Sequence, residues 1–156
     1  MIEIAQLVGE ELLSRQLSIA TAESCTGGLV SSLITEIAGS SQWFDRGFVT
    51  YSNEAKQEML GVSENTLLKH GAVSATTVSE MALGAIKYSR ASCSIAISGV
   101  AGPTGGSPEK PVGTVFIAWK TPRADVTAER FLFSGDRASI RRQAAYFSLV
   151  MLYQRL

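Results

Sequence analysis

Histidine is nearly missing from this chain: His70 stands alone, which excludes a multi-histidine metal site and leaves one imidazole for any catalytic triad. Cysteine is almost as scarce. Cys25 and Cys93 show no metal-ligand spacing and allow at most one disulfide, so no metal or cofactor is expected and a reducing, cytoplasmic setting is the simplest account. An excess of either charge is also lacking, with 14 Lys+Arg against 14 Asp+Glu. That balance speaks against a nucleic-acid partner, though it leaves room for a local phosphate pocket. No apolar run approaches the roughly 20 residues that span a bilayer, and Met1–Gln6 lacks the basic start of a signal peptide, so no membrane partner is expected. Proline is sparse too, at 4 residues, against 14 glycines and a hydrophobic share of 46%. Such a composition fills a core, and 156 residues suit a single domain spanning 1–156.

The hydrophobic pattern predicts alternating helices and strands. Residues 2–16 carry apolar side chains at helical spacing, and Leu17–Ala22 reads as a short buried strand. A helix follows from Leu29 to a stop at Gly39, and Phe48–Tyr51 suits a second strand. Ser52–Asn53 could cap a helix running to Leu60, with further helices over 63–70 and 74–90. Ser94–Ser98, Thr114–Trp119 and Val126–Phe133 read as strands, the last two forming a hairpin through Lys120–Asp125. A final helix opens at Asp136 and carries Phe147, Met151 and Tyr153, whose apolar surface could serve a homodimer. The expected fold is α/β, three-layer α/β/α with a mixed, mainly parallel sheet.

Two glycine-rich loops follow predicted buried strands, where layered α/β proteins collect ligands. In the first, Ser24-Cys-Thr-Gly-Gly28, a hydroxyl sits among backbone donors of Thr26, Gly27 and Gly28 that could stabilise an oxyanion. A capped strand-to-helix turn, with Ser24 or Thr26 as the cap, explains the same residues. Cys25 is a competing nucleophile, since thiolates near helix N-termini are activated, although a small buried packing residue is its commoner fate. The loop contains neither the lysine of a P-loop nor the Gly-x-Ser-x-Gly elbow of serine hydrolases.

Thr21-Ala-Glu-Ser-Cys-Thr-Gly-Gly28 closely resembles the signature of the CinA C-terminal domain family, the nicotinamide mononucleotide deamidases. Further blocks agree: Phe44–Lys56, His70-Gly-Ala-Val-Ser74, Ser98–Gly106 continuing to Lys110-Pro-Val-Gly113, and Gly135–Arg141. They are ordered and cover almost the whole chain; one mild departure is Thr104, where the family loop usually carries glycine. The resemblance implies an amidohydrolase that converts the carboxamide of nicotinamide mononucleotide to a carboxylate and ammonia, serving pyridine nucleotide recycling. It also implies Ser24 as nucleophile and Lys56 as base, a role that requires burial to lower the lysine's pKa. Tyr51 is the natural helper, orienting the lysine or relaying a proton; its ordinary reading is a half-buried strand tyrosine.

A mononucleotide also needs a phosphate site. Gly102, Gly105 and Gly106 can offer amides and Thr104 a hydroxyl. Arg137 and Arg141, four apart on the last helix, could grip phosphate, or could belong to a solvated face paired with Asp136 or Glu129. Asn53 and Glu54 could contact ribose or carboxamide, and His70 reads as a helix end. The competing classes are a non-catalytic nucleotide-binding or regulatory module of the same fold, and an amidase for a related amide.

Overall fold

In the computed structural model, which describes residues 1–156, a single five-stranded sheet has the order β2-β1-β3-β4-β5. The strands are β1 (Ile19–Glu23), β2 (Phe44–Val49), β3 (Cys93–Gly99), β4 (Thr114–Thr121) and β5 (Ala124–Leu132). The helices are α1 (Ile2–Ser14), α2 (Leu29–Thr35), α3 (Asn53–Leu60), α4 (Glu64–His70), α5 (Ala75–Lys87) and α6 (Arg137–Tyr153), with a 3₁₀ turn at Ser40–Gln42. The sheet is mixed as expected, but parallel pairing covers only half of it. β1 pairs in parallel with β2 and β3, whereas β3–β4 and β4–β5 are antiparallel. The hairpin turns more tightly than the sequence suggests, with Thr121 opposite Ala124 across Pro122-Arg123, which lengthens both strands.

Side-chain size divides the two faces. Ile19, Ile95, Ile97, Ile117 and Trp119 point into a core built with α1, α2 and α6. Ala20, Ala22, Ala96 and Ala118 alternate with them and make a shallow floor for α5, joined by Leu60, Val62 and Leu67. Alternation along a strand sends neighbours to opposite faces, so one sheet supports three layers. The Trp119 indole N–H donates to Ser148 O at 2.8 Å, which satisfies the one polar atom of a buried ring.

The helix starts were well marked. Ser52, Ser74 and Asp136 each accept a hydrogen bond from a first-turn amide, those of Ala55, Thr77 and Ser139. The second strand is displaced from its predicted position: it runs over Phe44–Val49, so Thr50 and Tyr51 lie beyond it. As an edge strand, β2 tolerates Asp45 and Arg46, which obscure the apolar signal of its first half. On α6, Phe147 and Tyr153 are partly exposed and Met151 is half-buried.

Close approach of α3 to α5 depends on Gly84, where an added Cβ would lie 2.0 Å from Leu60 O. That neighbour is backbone and cannot yield cheaply. Gly84→Ala should therefore destabilise the fold by about 1–3 kcal/mol despite alanine's better helix propensity. Urea unfolding checks this: the midpoint should fall with the slope unchanged.

Candidate active site

Three parallel strands end on one side of the sheet, and β1 lies between β2 and β3. The chain leaves β1 for one neighbour and later returns on the other side, which opens a crevice at the carboxyl end of β1. A cavity of about 210 Å³ occupies it, lined by Ser24 and Cys25 after β1, Tyr51 and Lys56 after β2, and Ser98, Gly99 and Ala101 at the end of β3. Ala72, Val73 and Arg137 complete the wall. A concavity at the opposite end of the sheet, bordered by Arg15, Arg123 and Arg155, holds only about 70 Å³.

Lys56 is the fourth residue of α3, and helical side chains lean toward the helix N-terminus. Its stem consequently folds back over the β2–α3 turn and is 1% exposed. The ammonium nitrogen Nζ donates to Thr50 O at 2.8 Å and Tyr51 O at 3.3 Å, and meets Ser24 Oγ at 3.1 Å. No carboxylate is within ion-pair distance of it. Burial pushes the Lys56 pKa below the ordinary lysine value, only partly opposed by the neighbouring Cys25. A neutral amine has two N–H donors and one lone pair. Three carbonyls face Nζ, those of Thr50, Tyr51 and, at 3.5 Å, Ser52, so a neutral amine can place both N–H donors on carbonyls and turn its lone pair to the Ser24 hydroxyl.

Cys25 lines the same cavity with a different character. Burial pushes its thiol up to about 12, so it stays protonated at neutral pH. Tyr51 is not the half-buried strand residue the sequence suggested. It stands 63% exposed in the loop after β2, with its hydroxyl receiving a hydrogen bond from Arg137 Nη2 at 3.1 Å.

The loop after Ser24 is held differently from the expectation. Neither Ser24 nor Thr26 caps α2; Thr26 Oγ1 is buried without a partner. The cap is the carboxylate of Glu23, which accepts from the amides of Gly28, Val30 and Ser31 and from the Ser31 hydroxyl at 2.9–3.1 Å. The amide of Gly27 donates to Ser24 O at 3.0 Å. Gly27 and Gly28 therefore have no free amide for an oxyanion, whereas the N–H groups of Cys25 and Thr26 meet no acceptor in another residue.

The two arginines part company. Arg137 lines the cavity and donates from Nη1 to Gly102 O at 2.8 Å. Arg141 lies outside the lining and donates to Cys25 O at 3.0 Å and Thr26 O at 2.9 Å. Neither pairs with Asp136 or Glu129; the latter bridges Arg155. Gly102 is buried, but Thr104, Gly105 and Gly106 are exposed and do not line the cavity. Asn53 and Glu54 are also exposed and outside it, and His70 is the last residue of α4, its carbonyl accepting from Lys110 Nζ. Ser98, Gly99, Ala72 and Val73 lie in blocks that carry the family resemblance, but no local pattern marks them individually as cavity residues.

Fold and cavity together define a three-layer α/β protein with a buried serine–lysine contact at its topological switch point. The chain belongs to the CinA C-terminal domain family, whose sequence profile matches residues 1–156. It is 55% identical over 154 residues to the nicotinamide-nucleotide amidohydrolase PncC of Escherichia coli (strain K12), covering 99% of this chain and 93% of that protein. It is 53% identical over 147 residues to the protein of the same name from Enterobacter agglomerans, covering 94% and 90%. The crystal structure of competence/damage inducible protein CihA from Agrobacterium tumefaciens superposes with a TM-score of 0.95 at 45% identity, covering 98% of this chain and 93% of that one.

Proposed function

We propose that this protein hydrolyses the carboxamide of nicotinamide mononucleotide to nicotinic acid mononucleotide and ammonia, with Ser24 as nucleophile and Lys56 as its base. The observation that carries this reading is the 3.1 Å contact between Lys56 Nζ and Ser24 Oγ, buried, without a carboxylate partner, at the wall of a cavity. The identity to relatives named for that activity supports the substrate.

The chemistry follows from the two groups. Ser24 Oγ attacks the carboxamide carbon while its proton passes to Lys56 Nζ, giving a tetrahedral oxyanion. Amides of Cys25 and Thr26 are the available donors for that oxygen. The C–N bond then breaks as Lys56 returns the proton to the departing nitrogen, which leaves as ammonia. Water attacks the resulting ester and gives a proton to Lys56. Finally the ester C–O bond breaks and Ser24 Oγ recovers its proton. Tyr51 acts as a helper: its backbone carbonyl fixes Lys56, and its hydroxyl, held by Arg137, stands at the cavity mouth.

Arg137 is the cation facing the cavity and is assigned the substrate phosphate. Losing one charge-assisted contact costs about 1.5–3 kcal/mol. Arg137→Met should thus raise KM for the nucleotide by roughly 10–100-fold and leave the riboside nearly unaffected. Ammonia release from nucleotide, riboside and free nicotinamide measures both the function and this preference. Equal rates on all three would defeat the phosphate assignment. Tight nucleotide binding with no ammonia would instead support a binding module.

A further inference from the structure

Arg141 is drawn by its charge toward a phosphate role, yet both of its side-chain hydrogen bonds go to the nucleophile loop, and it lies outside the cavity lining. We infer that Arg141 is a positioning residue that aims the oxyanion donors of the Ser24 loop rather than a ligand for the substrate; this rests on the serine–lysine reading above.

The guanidinium is a rigid fork, and here its Nε and Nη2 hold two consecutive carbonyls, Cys25 O and Thr26 O, at 3.0 and 2.9 Å. Those contacts turn both carbonyls to the Arg141 side. A trans peptide is planar, with its N–H directed opposite its C=O. Fixing Cys25 O therefore fixes the Thr26 N–H on the far side of the loop, away from Arg141. Fixing Thr26 O does the same for the Gly27 N–H, which closes the turn onto Ser24 O at 3.0 Å. Glu23 anchors the next stretch through the amides of Gly28, Val30 and Ser31. Between these two anchors only the N–H groups of Cys25 and Thr26 lack an acceptor in another residue. Cys25 lines the cavity and Arg141 does not, and the Thr26 N–H, opposite the Cys25 carbonyl that Arg141 holds, is directed away from the arginine. Gly27 serves the turn by its φ of +58°, which side chains rarely adopt; a Cβ there would make only ordinary contact with Arg141 Nη2, at 3.5 Å.

Preorganised donors are worth most when they need no reorganisation as charge develops, and outright loss of one donor costs about 10²–10³ in kcat. Arg141→Met should lower kcat for nicotinamide mononucleotide by about 100-fold with KM within threefold, and leave the nucleotide-over-riboside preference intact. Arg141→Lys, which can hold one carbonyl, should recover part of the loss. A substrate-independent readout accompanies the kinetics: labelling of Ser24 by a fluorophosphonate. Ser24 Oγ bonds to phosphorus, fluoride leaves, the serine proton passes to Lys56, and the phosphoryl oxygen draws on the same donors. Peptide mass spectrometry should find labelling slowed by at least about 30-fold in Arg141→Met, with Arg141→Lys between that variant and wild type.

Unchanged kcat and labelling in both variants would overturn the inference, as would a rise in KM with loss of the nucleotide preference, which marks a phosphate ligand. Labelled wild type that releases no ammonia would defeat the substrate assignment alone, leaving the labelling comparison to decide on Arg141. Wild type that is not labelled would defeat both readings. If Arg141→Met does not fold, Arg141→Lys carries the same comparison.

Discussion

Replacing Ser24 by alanine is expected to reduce ammonia release from nicotinamide mononucleotide by about 10⁴-fold or more, while the protein stays folded and still binds the nucleotide. The size of the loss follows from the absence of a substitute. Cys25 is adjacent, but burial pushes its thiol up to about 12, so it stays protonated at pH 7. Lys56 Nζ, although it lines the cavity, is tied to Thr50 O and Tyr51 O and is a base here rather than a nucleophile. Water could fill the vacated Oγ position but would not be held for attack. The change itself is mild: Ser24 is buried, and its backbone N–H still donates to Ile97 O at 2.9 Å. Cys25→Ala should keep most of the activity. Isothermal titration beside the ammonia assay separates lost chemistry from lost binding.

Lys56→Met should lower kcat by about 10²–10⁴-fold and, unlike most active-site changes, gain stability relative to wild type as pH falls from about 10 to 7. Methionine fills a similar buried volume without a group that has to be neutral or charged there. The folded state disfavours the charged amine, so the Lys56 pKa is lower in the fold than in the unfolded chain, where it is near 10.5. Above that unfolded value both states are neutral and the lysine costs nothing in charge. As pH falls through the interval down to the folded value, the unfolded chain takes up a proton that the folded one refuses. Wild-type stability drops relative to the variant there, by at most about 1.4 kcal/mol per pH unit. Urea unfolding of both proteins from pH 7 to 10 should show the gap closing toward alkaline pH. The acid limb of kcat/KM should likewise lie below the ordinary lysine value, and Lys56→Arg, permanently charged, should be as inactive as the methionine variant.

How far the sequence could be read depended on the range of each interaction. Caps act within one turn, so Ser52, Ser74 and Asp136 announced their helices from local pattern alone. Leu17–Ala22 and Ser94–Ser98 are legible as short buried runs, whereas the partition of their isoleucines and alanines between two faces emerges only with the packed layers. Strand β2 was displaced because its limits are decided by pairing with Ile19–Glu23, across the intervening α2 segment, and its own polar edge residues hide it. The serine–lysine contact spans 32 residues and was supplied by the family resemblance, not by spacing. Glu23 stood in plain view inside the motif, but its capping of α2 from five to eight residues upstream follows no local rule. Arg141 reaches back 115 and 116 residues, so its pairing with Arg137 on one helix suggested a common task that the fold divides. The loop Thr104–Gly106 was given a phosphate role on composition, yet it lies on the exposed surface.

The serine–lysine pair is tested most directly by a double-mutant cycle in ammonia release, comparing wild type, Ser24→Ala, Lys56→Met and the double variant. Residues that act as one unit lose their whole contribution when either is removed. The double variant should therefore be no slower than Ser24→Ala alone. Losses that multiply, or near-normal turnover in either single variant with its fold intact, would contradict the account.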